Sequence, residues 1–275
     1  MLMLVAMAVF SVMDGVSKGL TGRLSPVEVS WARYFFGLLF MVPVVLVRGG
    51  FGLLETRRVL PQVARGALLF GSSVLFITAL RSLPMADAAA VGFVAPLMVT
   101  ALSIPLLGER VGSGRWLAVL TGFGGVLLVV RPGGASFEAA SLLPVASAAC
   151  WAVALIITRR LAATESALTT LLYTGLTGLA LSTLLLPGLW RAPGGEDWLL
   201  MAVAGGLFTL GQFLVLKAFL VAHASVLAPF QYSQIVWSTA IGLVCFGAIP
   251  DGFTAAGASV IIGSGLYVWW RERKA

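Results

Sequence analysis

Residues 86–108 read ADAAAVGFVAPLMVTALSIPLLG, and no side chain between Asp87 and Glu109 is ionisable. A helix of about 21 such residues crosses the roughly 30 Å hydrocarbon core of a bilayer. Moving the sequence by 139 residues lays this stretch on a second one, SVLAPFQYSQIVWSTAIGLVCFG at 225–247. On the same shift, without a gap, Gly66 meets Gly205, Ala79 meets Ala218, Gly108 meets Gly247 and Gly124 meets Gly263. Self-similarity at so long a period points to a duplicated half-protein, not to a short-period solenoid.

Composition agrees with a membrane protein. Of 275 residues, 59% are hydrophobic and 11% charged, with a mean hydropathy of +1.01; a soluble domain carries about 25% charged residues. The expected fold class is therefore an all-α integral membrane protein. Glycine is frequent, 32 in all, as suits helices that pack closely in lipid. The net charge of +7 comes from basic residues scattered singly among apolar segments, which fits loop bias and not a nucleic-acid surface. Cys150 and Cys245 lie inside apolar segments and read as small packing residues. The N-terminal MLMLVAMAVF has neither a basic n-region nor a cleavage site after it, so it is expected to be retained as the first span.

Charged and Pro/Gly-rich punctuation cuts the chain into ten apolar segments: 2–20, 27–47, 60–80, 86–107, 115–130, 139–158, 166–186, 197–216, 225–247 and 253–270. An even number of spans puts both termini on one side of the membrane. Of the 18 basic residues, 12 fall on that side and five on the other, while Arg33 lies within a span. The positive-inside rule then makes both termini cytoplasmic. Five spans per half is odd, so the second half enters the membrane in the opposite sense. The expected organisation is two inverted five-helix repeats, 1–133 and 134–275, forming one membrane domain. Many secondary transporters share this plan and bind substrate near the midplane where the repeats meet. Pores and some membrane enzymes are duplicated too, so the repeat alone leaves the function open.

Polar residues inside the spans are the candidate site. Asp14 and Lys18, four apart, share a face of the first span; they are either a zwitterion-binding or proton-coupling pair, or a mutually satisfied pair near the interface. Arg33, about six residues into the second span, is a candidate for a carboxylate, or its long stem reaches the interface. In the ninth span, Gln231, Gln234 and Ser238 fall within about 60 degrees of one another on a helical wheel. Tyr232 and Trp237 flank them. Thr209 with Gln212, and Thr170, Tyr173, Thr174 and Thr177, form further polar faces on the eighth and seventh spans. Together with Trp151, these residues suit a cavity for a small amphiphile, or else serve as interhelical hydrogen-bonding glue. Pro96 and Pro229 interrupt the backbone ladders of the fourth and ninth spans and are candidate hinges, or static kinks. Ala118 with Gly122, and Ser259 with Gly263, are small-xxx-small pairs for close helix packing or a dimer contact.

Several chemistries are missing from the sequence. It has no GxxxxGK[ST] loop and hence no ATPase site in this chain, no HExxH and no Gly-x-Ser-x-Gly. The sole histidine is His223. No catalytic residues, metal site or cofactor are expected, so the chain is not read as an enzyme. The partners expected are a small-molecule substrate and the lipid bilayer; a homodimer is open but not required.

WARYFFG at 31–37, APLMVTALSIPLLGER at 95–110 and the glycine-rich TGFGGVLLVVRPG at 121–133, on ten spans in two halves, resemble the EamA-type transporters of the drug/metabolite transporter superfamily. APFQYSQIVWSTAIGLVCFGAIPD at 228–251 is similar to bacterial exporters of amino acids, aromatic ones included. The second half departs from the pattern at Ala248, which stands where Glu109 follows Gly108; Asp251 is the nearest acid. The resemblance implies a carrier of the bacterial inner membrane, with a central cavity lined mainly by spans 1–4 and 6–9. The expectation is export of small amphipathic metabolites, amino acids first, by alternating access. The alternatives are another metabolite such as S-adenosylmethionine, riboflavin or a drug-like cation, a channel, or a membrane enzyme.

Overall fold

In the computed structural model the described residues are 1–48, 52, 54–95, 97–99, 101–102, 113–132, 139–161, 164–221 and 230–272, and all regular structure among them is helical. The helices are α1 (Leu2–Leu20), α2 (Pro26–Arg48), α3 (Val59–Ser82), α4 (Met85–Gly92), α5 (Ser113–Val130), α6 (Leu142–Leu161), α7 (Ala167–Leu185), α8 (Gly195–Val221), α9 (Ser233–Phe246) and α10 (Gly252–Glu272). Among the described residues, six apolar segments, in α1, α2, α3, α6, α7 and α8, are long enough to cross a membrane, and shorter apolar helices include α4 and the stretches 116–130, 233–246 and 252–267. Within the fourth and ninth spans, residues 96, 100, 103–107 and 225–229 lie outside the described residues, both candidate hinges Pro96 and Pro229 among them.

Local sequence explains where helices begin and end. At the start of α2, the Ser25 hydroxyl accepts from the Glu28 N–H at 3.2 Å while Glu28 Oε2 accepts from the Ser25 N–H at 2.8 Å. This reciprocal capping box sits beside Pro26, whose missing N–H costs nothing at the first helical position. Glu28 is wholly buried because its other oxygen accepts from the Arg191 N–H at 2.8 Å. Ser166 caps α7 by accepting from the Thr169 N–H at 3.0 Å. Gly247 ends α9 at φ +64, a left-handed conformation that lets the Ala248 N–H return to the Gly242 carbonyl.

Packing follows a pattern. α1 lies on α8 and α9, α3 on α6 and α7, α2 on α7 and α8, α4 on α9, and α5 on α10. The 139-residue shift carries α1, α2, α3 and α5 onto α6, α7, α8 and α10 with ends matching to a few residues. It therefore turns the α1/α8 contact into the α6/α3 contact and α2/α8 into α7/α3. It also lays Phe93 on Tyr232, whose rings touch with centroids 5.2 Å apart. Both positions sit where the backbone tightens to three-residue bonds: the Val94 N–H donates to the Val91 carbonyl, and the Ile235 N–H to Tyr232.

Small residues set the closest approach. A Cβ added to Gly125 would stand 2.9 Å from the Gly257 carbonyl, so α5 and α10 meet backbone to backbone. Gly122 faces Leu97 and Ser264, which places this small-residue face inside the protein. Apolar residues dominate the outside: Val47, Leu120, Leu184 and Val244 are all more than 60% exposed, as a lipid-facing surface requires.

Candidate substrate site

The polar interior begins on α1. The Ser17 hydroxyl donates back to the Met13 carbonyl at 2.8 Å, which turns its lone pairs toward α2. Arg33 uses them: its Nε and Nη2 donate to Ser17 Oγ at 3.1 and 2.6 Å, and Nη2 also donates to Asp14 Oδ1 at 2.9 Å. Asp14 and Arg33 are 6% and 5% exposed. A buried ion costs several kcal/mol unless a partner and hydrogen bonds compensate it, and here each ion compensates the other. The remaining carboxylate oxygen, Asp14 Oδ2, accepts from Gln234 Nε2 on α9 at 3.4 Å. Ser11 adds a donation to the Gln234 carbonyl at 3.3 Å and a hydroxyl contact with Ser238 at 3.2 Å. A single carboxylate thus ties α1 to both α2 and α9.

Lys18 has a different task. Its Nζ donates to the carbonyls of Leu80 and Leu83 at 2.7 and 2.6 Å, capping the C-terminal end of α3, and it lies over the Phe246 ring. A cation at a helix C-terminus meets the negative end of the macrodipole. Asp14 therefore takes Arg33, not Lys18, as its ion partner, although the two share a face of α1.

A second polar cluster joins α3, α6 and α7. Arg65 Nε donates to Thr158 Oγ1 at 2.6 Å, and Nη1 donates to the Thr174 hydroxyl and to the Thr170 carbonyl at 3.5 Å. Gln62, fully buried one turn earlier on α3, donates from Nε2 to Thr170 Oγ1 at 3.2 Å. The sequence had shown Thr170 and Thr174 as a polar face but counted Arg65 among the loop charges. Its position five residues inside the segment 60–80 was the available signal. Thr174 also borders a crevice of about 400 Å³ between α2, α7 and α8, where Tyr34, Leu38, Phe208 and Gln212 stand.

The remaining sequence candidates are dispersed. Tyr232 is 7% exposed and packs into the apolar cluster of α4, α5, α9 and α10, against Phe93 and beside Gly265. Tyr173 donates its hydroxyl to the Leu54 carbonyl at 3.0 Å. Gln231 is half-buried, and Trp151 and Trp237 are exposed. Among the described residues none of these five takes part in the hydrogen bonds of the Asp14 cluster. The structure brings together Asp14, Arg33 and Gln234; it sets Gln212 in the crevice and Lys18 at a helix end. Among the described residues no group of His, Cys, Asp and Glu is arranged to hold a metal ion.

Apolar helices around buried polar clusters that link separate elements define a multi-pass membrane protein with a polar interior. The chain belongs to the EamA-like transporter family, whose pattern it matches over residues 1–131. It is 30% identical to an S-adenosylmethionine uptake transporter of Rickettsia felis, over 95% of this chain and 89% of that one. It is likewise 30% identical to a riboflavin transporter of Vibrio cholerae (99% and 93%) and 28% identical to a pseudopaline exporter of Pseudomonas aeruginosa (95% and 92%). A protein of known crystal structure matches 99% of this chain and 96% of its own with a TM-score of 0.68 at 24% identity, which speaks to the fold alone. These relatives support small-molecule transport but not the narrower expectation of amino-acid export: their names point to other metabolites.

Proposed function

We propose that the chain is a secondary carrier of the bacterial inner membrane that moves an S-adenosylmethionine-like zwitterion by alternating access. Similarity to S-adenosylmethionine uptake transporters over nearly the whole chain favours that cargo, and uptake as the direction. The observation that carries the mechanism is the Asp14–Arg33–Gln234 cluster, because it joins α1 and α2 of the first half to α9 of the second. A cargo that competes for Asp14 alters the link between the halves, and only such differential binding drives a switch.

The proposed organisation is ten crossings in two inverted repeats, 1–133 and 134–275, with both termini cytoplasmic. Three observations support it: helix contacts exchange under the 139-residue shift, the family pattern stops at residue 131, and Phe93 meets its counterpart Tyr232. Pro96 and Pro229, each three residues from one of these aromatic positions, are the proposed hinges. The crevice with Tyr34, Phe208 and Gln212 provides the apolar wall that a ring-bearing cargo needs.

Riboflavin is the second reading, carried by the 30% identity over 99% of the chain to the Vibrio cholerae riboflavin transporter. Counterflow in proteoliposomes decides between the two cargoes, with L-amino acids completing the panel. Saturable, trans-stimulated exchange of labelled S-adenosylmethionine supports the first reading; exchange of riboflavin alone replaces it.

A further inference from the structure

We infer that Arg65 with Gln62, Thr158 and Thr174 forms a carboxylate-recognition subsite for an α-amino-acid end of the cargo; this rests on the carrier reading above. The two interior arginines differ in kind. Arg33 is neutralised by Asp14 at 2.9 Å. Arg65 is ion-paired with no acid among the described residues, and its bonds go to two threonine hydroxyls and one carbonyl. Those bonds hold Nε and Nη1 and fix the plane of the fork. Nη2 has no protein acceptor among the described residues, and the Arg65 side chain is only half-buried.

An oriented guanidinium whose Nη2 is left over, with a positive charge that no described acid balances, suits a carboxylate as a charge-assisted acceptor. A phosphate dianion would want a second cation, and Arg65 has only neutral hydrogen-bonding neighbours in the cluster. Gln62 supplies the complementary half. It is fully buried, its Nε2 is spent on Thr170 and its Oε1 lacks a donor among the described residues. Gln62 and Arg65, three apart on α3, lie on one face, so an acceptor stands beside a cation. That pairing fits an ammonium next to a carboxylate. Thr174 links the subsite to the apolar crevice, where the body of such a cargo would lie.

The test measures binding to the purified full-length chain by calorimetry with two matched pairs: S-adenosylmethionine against decarboxylated S-adenosylmethionine, and L-phenylalanine against phenethylamine. The wild type is expected to prefer the carboxylated member by about tenfold or more. Arg65→Gln should bring that ratio close to one without weakening the decarboxylated member, and Arg65→Lys should retain part of it. Thr174→Val, which keeps the charge but releases the fork, should lower the ratio and serves if Arg65→Gln does not fold. A ratio that survives in Arg65→Gln and Thr174→Val overturns the subsite. Failure of both S-adenosyl compounds with a preserved phenylalanine ratio rejects the cargo and keeps the subsite. No carboxylate preference in either pair, absence of binding included, overturns the subsite itself.

Discussion

Arg33 Nη2 stands 2.9 Å from Asp14 Oδ1, with less than a tenth of either side chain exposed. The pair is neutral as a unit, and each ion depends on the other for its place in the interior. Removing one charge leaves its partner buried and uncompensated, a loss of about 3 to 5 kcal/mol in comparable cases. Asp14→Asn and Arg33→Gln should therefore each lower the denaturation midpoint in detergent strongly. The double variant should lose less than the sum of the two. Additive losses would mean that the pair does not hold α1 to α2.

Lys18→Met removes a cap, not the ion partner of Asp14. The expected cost is about 1 kcal/mol, with faster hydrogen exchange in the last turn of α3, where the Leu80 and Leu83 carbonyls lose their donor. Cargo affinity should hold. A large loss of affinity at unchanged stability would put Lys18 back among the binding residues.

Much of this architecture is legible in the sequence because lipid imposes simple rules. Apolar segments of the right length, cut at charges and prolines, fall within a few residues of α1, α2, α3, α6 and α7. The candidate site was less legible. Hydropathy marks that Asp14 and Arg33 lie in apolar segments, but not that two helices turn them toward each other. The helical wheel of 231–238 puts Tyr232 on one flank of the Gln231, Gln234 and Ser238 face, whereas in the structure its ring lies in the core against Phe93, at a tightened turn. Arg65 was hidden by its neighbours, since Arg57 and Arg58 made it look like one more loop charge. The 139-residue shift sets Val153 at Asp14 and Ala204 at Arg65, so the charges are not duplicated with the helices.

At Gly125 the α5/α10 crossing leaves no room for a side chain. Gly125→Val forces a methyl group against the Gly257 carbonyl, at an expected cost of about 1 to 3 kcal/mol. Light scattering separates the two readings of this small-residue face. The variant should lose thermal stability with its oligomeric state unchanged; a change of oligomeric state at constant stability would mark a dimer contact instead.

Asp251 tests the polar end of the same helix pair. It accepts from the Thr254 N–H at 2.8 Å and pairs with Arg131, and this backbone bond, aided by Arg131, holds its carboxyl below the usual carboxylate range. A depressed pKa contributes stability that is complete above the unfolded value near about 3.9 and is lost as pH falls through the lower folded value. Asp251→Ala should therefore cost about 1 kcal/mol at pH 7, as for other N-caps, and progressively less on acidification below pH 4. A difference between variant and wild type that does not shrink in acid would contradict this role.

The most direct test of the carrier reading is counterflow of labelled S-adenosylmethionine into proteoliposomes loaded with the unlabelled compound. The expected result is saturable, trans-stimulated uptake in the wild type, abolished in a folded Asp14→Asn/Arg33→Gln double variant. Uptake that neither saturates nor responds to internal substrate, or that is identical in protein-free vesicles, would contradict it.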